Sequence, residues 1–440
     1  MRRSTITAIG ILIALLLFGE MSHAQEVITL ERAIEIALEN NIDLKRAQNN
    51  VVIAKNNERQ SKYEFLPSLN ATANYQWRGG FSGLNADGDP INGSSQVSFP
   101  SLNANFVIFN GLNNINNYGR NKLLHDAAQQ NFESQKDFTR IAVMGLYLQV
   151  LLAQENMKIS QSRLDVLNQQ LTREEKRMEI GVSTLDQVYN FKSQVANENL
   201  NYINLKNGFD QAKLQLWQAL RLDPSASYDV SPIEISEIEI TEIAESFAGI
   251  QQEAFAYSPL IKASEFNLRA NRKGFQIAKS GLYPTLTAGA SISSQYFSIQ
   301  GDSYFAQLDD RRQNSVGFGL NLPLFNRFRT MNNIQNSKIA VLNSELDLDQ
   351  SKQTISNNVQ QAYQNLLAAQ ETYKAAQENL TALTQSFEFS EKRYNTGNTD
   401  FFNYLQSLNN KNQAELQMVN ARYSIILRRE ILDIFRGLNQ

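Results

Sequence analysis

The chain is written twice, and that constrains its fold more than any other feature. Val143, Tyr147, Leu151, Ala153, Gln154 and Glu155 recur as Val359, Tyr363, Leu367, Ala369, Gln370 and Glu371, a constant displacement of about 216 residues. The same displacement carries Leu164, Leu167 and Leu171 onto Leu380, Leu383 and Phe387, and Arg177 and Gly181 onto Arg393 and Gly397. Further upstream, Ala37 maps onto Ala254, and Pro67-Ser68-Leu69 onto Pro284-Thr285-Leu286, with one residue added. So steady an offset means two copies of one structural unit, assembled by repetition and not around a single cleft.

Proline and glycine are distributed very unevenly. No proline lies between Pro100 and Pro224 or after Pro323; from Asn121 to Asn207 the glycines are Gly145 and Gly181, and from Phe328 to Arg436 there is Gly397. Stretches without these interrupters can be helical nearly throughout. Leu164, Leu167, Leu171 and Met178, like Leu380, Leu383, Phe387 and Tyr394, keep the three-and-four spacing of a coiled-coil seam. Gly181 and Gly397 supply the left-handed turn that ends a helix, and Ser183 and Thr399 are expected to cap the next one. Each stretch therefore reads as a helical hairpin. The arm from Leu112 to Ile180 makes a rod on the order of 100 Å, which suits a chain that must span a gap.

Four other segments change period. Leu69, Ala71, Ala73, Tyr75 and Trp77 alternate with polar residues, as do Leu102, Ala104, Phe106 and Ile108. Leu286, Ala288, Ala290 and Ile292 do the same, followed by Val316, Phe318, Leu320, Leu322 and Leu324. Strands are expected at about 67–78, 97–109, 284–297 and 315–325, with loops at Gly79 to Ser95 and Ser298 to Asn314. Apolar on one side and small or polar on the other, each matches a transmembrane β-strand. Phe65, Phe109, Tyr283 and Phe325 on the helix side, with Trp77, Phe99 and Phe297 on the far side, would form two interfacial girdles.

The ends and the composition sharpen this reading. Arg2 and Arg3, the apolar run Ile6 to Phe18 and Ser22-His23-Ala24 read as a secretory signal over residues 1–24. The first repeat then covers 25–222, a linker 223–246, and the second repeat 247–440. The linker's alternating Ile233-Glu234-Ile235 suggests a short strand outside the repeat. The absence of cysteine excludes disulfides and an N-terminal lipidated Cys. With 41 Lys+Arg against 44 Asp+Glu there is no broad basic footprint for nucleic acid. No later apolar run reaches helix-spanning length, so insertion into a membrane must use strands.

Catalytic chemistry is missing. His23 falls in the signal and His125 is alone in an expected helix; no Cys/His cluster, P-loop, Gly-x-Ser-x-Gly or His-Glu-x-x-His occurs. Asn85, Asp87 and Asp89 mimic half a calcium loop, but Pro90 stands where the loop needs glycine and no Glu closes it. Neither an enzyme, a metal site nor a cofactor is expected.

These residues together resemble the outer-membrane efflux protein family typified by TolC, over nearly the whole chain. The likeness rests on Leu30-x-x-Ala33-Ile34-x-x-Ala37-Leu38, Leu66-Pro67-Ser68-Leu69 with its echo Tyr283-Pro284-Thr285-Leu286, Phe109-Asn110-Gly111 with Phe325-Asn326, and the two Arg-x-x-x-Gly motifs. The resemblance implies a membrane β-barrel plus a long α-helical barrel. In that arrangement a homotrimer pools four strands per chain into twelve. Four strands alone would leave open edges in lipid, so the chain must pool its strands with other copies in any case; two, three or four copies satisfy that argument.

The resemblance further implies a passive outer-membrane duct of a tripartite efflux or type I secretion system. Its partners would be outer-membrane lipid, a periplasmic adaptor and an inner-membrane pump of RND, ABC or MFS type. The gate would lie at the helical tip, at Arg177, Asp186, Arg393, Tyr394, Asp400, Asn403 and Gln406, beside Gly181 and Gly397. Where relatives carry two aspartates, this chain has Asn403 and Gln406, which argues against strong cation selectivity. The competing reading is a periplasmic helical spacer without a pore. The exported substrate is not legible.

Overall fold

A computed structural model describes residues 26–84, 88–223, 228–233, 245–300 and 302–438. The expected signal, Asn85 and Asp87, and most of the Ile233-Glu234-Ile235 segment lie outside the described residues. In chain order the elements are β1 (Glu26–Ile28), α1 (Leu30–Asn40), α2 (Ile42–Tyr63), β2 (Ser68–Leu84), β3 (Pro90–Asn110), α3 (Asn113–Glu179), α4 (Leu185–Leu220) and β4 (Tyr228–Val230). Then follow α5 (Phe247–Tyr257), α6 (Pro259–Ser280), β5 (Thr285–Ser293), β6 (Tyr296–Phe297), α7 (Tyr304–Asp310), β7 (Gln313–Asn321), α8 (Arg329–Asn395) and α9 (Phe401–Arg436). The described chain forms two compact units. One comprises the described parts of 1–46, 133–258 and 354–440, the other those of 47–132 and 259–353.

The first unit is helical. Thr29 starts α1 by accepting from the Arg32 amide, and Asn41 starts α2 by accepting from the Leu44 amide at 3.0 Å; such side chains satisfy amides that an α-helix leaves without partners. Tyr147 is fully buried, and its hydroxyl lies 2.9 Å from the Ile28 carbonyl and 2.7 Å from the Ser231 carbonyl. That contact ties α3 to the small parallel sheet of β1 and β4. Among the described linker residues a strand runs over Tyr228–Val230. Arg436, near the C-terminal end of α9, pairs with Glu253 at 2.7 Å and with Glu245.

The second unit carries the sheet, ordered β2-β3-β5-β7, with neighbouring strands antiparallel and β6 paired to β3. Its register sorts the two faces. Leu69 stands across from Ala104, Ala104 from Ala290, and Ala290 from Val316; Thr72, Ser101 and Ser293 line up on the other face. The apolar face is open: Leu69 is 67%, Phe318 76% and Val316 80% exposed. β2 and β7, at the two edges, have one paired neighbour each among the described residues.

Several strand limits differ from the sequence reading. The first hairpin stays paired out to Leu84 and Pro90, so most of Gly79 to Ser95 is ladder and not loop; its glycines and serines lack apolar alternation but still offer backbone donors and acceptors. The third strand breaks after Ser293 and resumes as β6, while the expected loop from Ser298 contains α7. The fourth begins at Gln313 and ends at Asn321, because Pro323 has no amide to continue the ladder. A bulge between Val107 and Phe109 sets Phe109, not Ile108, opposite Leu286. Phe99 pairs with Asn74 and Phe297 with Val97, which puts both on the polar face. There their rings meet edge to face at 6.1 Å. They do not belong to an apolar-face girdle.

His125 is more enclosed than a lone helix histidine suggests. Its Nδ1 lies 3.0 Å from Glu58 Oε2. Hydrogen bonding from Lys62 pulls the Glu58 carboxyl below its usual value against the effect of burial, and His125 adds to the pull.

Candidate functional site

The hairpin tips belong to the first unit, and their geometry follows from the duplicated Arg-x-x-x-Gly. At the end of α3, the Gly181 amide donates to Met178 O at 2.9 Å and Val182 to Arg177 O at 2.8 Å. At the end of α8, Gly397 donates to Tyr394 O at 3.1 Å and Asn398 to Arg393 O at 2.8 Å. Both are Schellman closures, and they need a left-handed residue at the glycine. Gly181 and Gly397 have φ of 75° and 76°. The caps of the following helices fall one residue later than expected. Thr184 accepts from the Gln187 amide at 3.3 Å and Asp400 from the Asn403 amide at 2.8 Å; Ser183 instead hydrogen-bonds the Gln187 side chain, 2.7 Å away.

Of the seven expected gate residues, the structure brings two together across the hairpins, Arg177 and Tyr394. Tyr394 donates to Glu174 Oε1 at 2.7 Å, and Arg177 Nη1 lies 3.4 Å from the same oxygen. The Arg177 guanidinium stands 5.9 Å from the centre of the Tyr394 ring, within cation–π range. Glu174 is 1% exposed, and its two neighbours supply the donors a buried carboxylate needs. Burial, reinforced by the Glu174 carboxylate, pushes the Tyr394 phenol above its ordinary range, so it remains a donor.

The other five hold local bonds. Arg393 reaches Asn398 O at 3.3 Å within its own turn. Asn403 donates to its cap Asp400 at 2.9 Å, Asn190 donates to Asp186 at 3.2 Å, and Gln406 donates to Asn410 at 2.8 Å. Asn403 and Gln406 are exposed.

Glu174, Gln170, Arg173 and Tyr404 complete the contact between the hairpins. Tyr394 stacks on Tyr404, with ring centroids 4.8 Å apart and planes 21° apart, and Gln170 donates to the Tyr404 hydroxyl at 3.2 Å. Burial and the charge of Glu391 push the Tyr404 phenol up to about 12. Arg173 donates to Asn395 at 2.7 Å. Tyr394 and Tyr404 also belong to a buried cluster with Leu167, Phe191, Phe401, Leu405 and Leu408, in which the Phe191 and Phe401 centroids are 4.1 Å apart. A signal for Glu174 does exist in the sequence. It interrupts the Leu164, Leu167, Leu171, Met178 seam at the place where another apolar residue belongs. Among the described residues no group of three or more His, Cys, Asp or Glu is arranged to hold a metal ion.

One unit carries two long hairpins closed at glycine, and the other a sheet with an open apolar face. The model of the outer membrane efflux protein family matches residues 33–220 and 250–433. The chain belongs to that family, and its place is the outer membrane. It is 28% identical over 305 residues to the pyoverdine export outer membrane protein OpmQ of Pseudomonas putida, covering 68% of this chain and 62% of OpmQ. It is 20% identical over 420 residues to the outer membrane protein TolC of Salmonella enteritidis, covering 93% and 81%. Its fold matches that of CusC with a TM-score of 0.79 at 17% identity, over 96% of this chain and 95% of that one.

Proposed function

We propose that the protein is the outer-membrane channel of a tripartite efflux or type I secretion system. Three copies pool their sheets into a twelve-stranded barrel, and the helices form a periplasmic duct gated at the hairpin tips. The observation that carries this reading is the sheet ordered β2-β3-β5-β7, with an exposed apolar face and, among the described residues, one unpaired edge each on β2 and β7. In hydrocarbon an unpaired backbone group costs several kcal/mol, so such a sheet is stable there only once its edges meet other copies. Membership of the outer membrane efflux protein family supports a periplasmic adaptor and an inner-membrane pump of RND, ABC or MFS type as the suppliers of energy and cargo. The gate is read as the Glu174–Tyr394–Arg177 contact together with Arg173–Asn395. Exposed Asn403 and Gln406 give the aperture a neutral amide lining.

The test is assembly and conduction. The protein should be recovered from outer-membrane fractions as a heat-sensitive oligomer that forms pores of low conductance and weak cation selectivity in planar bilayers. Recovery as a soluble periplasmic monomer without pores would support the spacer reading instead.

A further inference from the structure

At the end of the sheet away from α2, α3 and α6, helix α7 folds against the strands. Gln307 is 2% exposed and acts as a substitute strand residue: its Nε2 donates to Phe297 O at 3.1 Å and its Oε1 accepts from the Phe297 amide at 3.0 Å. Ser294 Oγ donates to Leu308 O at 2.7 Å, fixing the end of α7 beside β5. Tyr304 hydrogen-bonds Ser98 at 3.1 Å and lies 4.9 Å from the Tyr296 ring. Ser98 stands across from Tyr75 and Tyr296 in the register, so this contact is on the apolar face.

Between α7 and the strands lies an open groove of about 420 Å³. Ala71, Ala73, Pro100, Leu102 and Ile292 form its floor, and Leu308 and Arg312 its rim. The small side chains make the hollow, because Leu69 and Tyr75 on either side along β2 are large. Arg312 is the one charged residue among those lining it, is exposed, and takes part in none of the ion pairs among the described residues. The adjacent Arg311 is directed elsewhere, 5.5 Å from the centre of the Phe297 ring.

We infer that this groove binds a phosphate-bearing lipid of the outer leaflet, its acyl chain on Ala71, Ala73 and Leu102 and its phosphate on Arg312. The inference rests on the barrel reading above, which sets this face against lipid and this end of the sheet at the outer surface. A guanidinium carried on an apolar groove is stable where its head meets water or an anion, and its planar fork suits phosphate oxygens. The apolar floor distinguishes a lipid from a free anion, which has nothing to place there.

The purified oligomer in mild detergent should be titrated with diphosphoryl lipid A and followed by native mass spectrometry. About one lipid per subunit is expected, with retention falling about tenfold in Arg312→Ala, which loses the charged contact, and in Ala73→Phe, which fills the groove. Arg312→Lys should keep most of the binding. Equal retention by the wild type and both loss variants overturns the proposal, as does equal binding of fully dephosphorylated lipid A or of inorganic phosphate alone. Heat-sensitive oligomer and bilayer conductance, measured on the same samples, separate the two levels. A pore-forming oligomer that takes up no lipid defeats the groove and leaves the channel reading standing, whereas a wild type without oligomer or pore defeats both.

Discussion

The two helical hairpins agree in backbone and differ in what they bury. Helices α3 and α8 are each 67 residues long, α4 and α9 each 36, and both turns close with the same pair of hydrogen bonds. The first hairpin nevertheless encloses two carboxylates, Glu174 and Glu198. Their counterparts in the second are Ser390 and Ala414. Glu198 accepts from Ser160 at 2.6 Å and Asn201 at 3.1 Å and lies 3.2 Å from Arg163, which itself reaches Asn409 in the second hairpin. The corresponding place in the second hairpin is an open groove of about 770 Å³ lined by Thr372, Ala375, Asn379, Gln417 and neighbours. Duplication has kept the residues that shape the chain. The bonds that join the copies arise where the copies have diverged.

If that asymmetry is energetic, the largest effect belongs to Glu198. Glu198→Ala leaves Arg163 without its acid and the buried Ser160 hydroxyl without its acceptor, and should cost about 3 kcal/mol. Asn379→Ala and Gln417→Ala, which remove an exposed 3.4 Å contact at the corresponding site, should stay within about 0.5 kcal/mol. Thermal unfolding of the oligomer measures both. Similar losses in the two hairpins would mean that the buried acid is incidental to stability.

The next effect concerns the tip. Glu174→Ala should weaken the contact between hairpins by about 2 kcal/mol, because the Tyr394 hydroxyl loses its acceptor and Arg177 its partner. On the gate reading, single-channel conductance in planar bilayers should rise, and less so in Tyr394→Phe, where Arg177 still holds the carboxylate. Ser390→Ala, the same position in the other copy, should leave conductance unchanged, and so should Arg393→Ala, whose bond stays within its own turn. A rise in Arg393→Ala as large as that in Glu174→Ala would place the latch away from the Glu174 carboxylate.

How much of this was legible in the sequence depends on the range of the interaction. The glycine turns, the coiled-coil seams and the four alternating segments are local patterns, and they give the four longest helices and the four main strands. What failed were features set by neighbours in space. The first hairpin extends past its apolar alternation because the stretch from Gly79 to Leu84 pairs with that from Pro90 to Ser94 through backbone groups, which side-chain pattern does not report. The face of Phe99 depends on its register with Asn74. The caps fell on Thr184 and Asp400, one place beyond the hydroxyl residues nearest the glycine, because the turn needs three residues before the helix resumes. At the tip, Arg177 and Tyr394 were recognisable from their motif. Glu174 appears there only as a break in a leucine seam, and its meaning comes from Tyr394, 220 residues further on.

The smallest expected effect is the response of the tip to alkali. Tyr394 has its phenol raised, first by burial and then by the Glu174 carboxylate that accepts its hydrogen bond. A group whose pKa is raised on folding contributes stability that is complete below its unfolded value, here about 10. That contribution is lost only as pH rises through the folded value. The Tyr394–Glu174 bond should therefore be unchanged between pH 7 and about 10. Ultraviolet titration of the intact oligomer should show Tyr394 missing from the population that ionises near pH 10, by comparison with Tyr394→Phe. Single-channel conductance should stay flat over the same range. Opening already near pH 9 in the wild type, but not in Tyr394→Phe, would mean that the phenol ionises within the usual range, and that the buried contact with Glu174 is broken in the assembled channel.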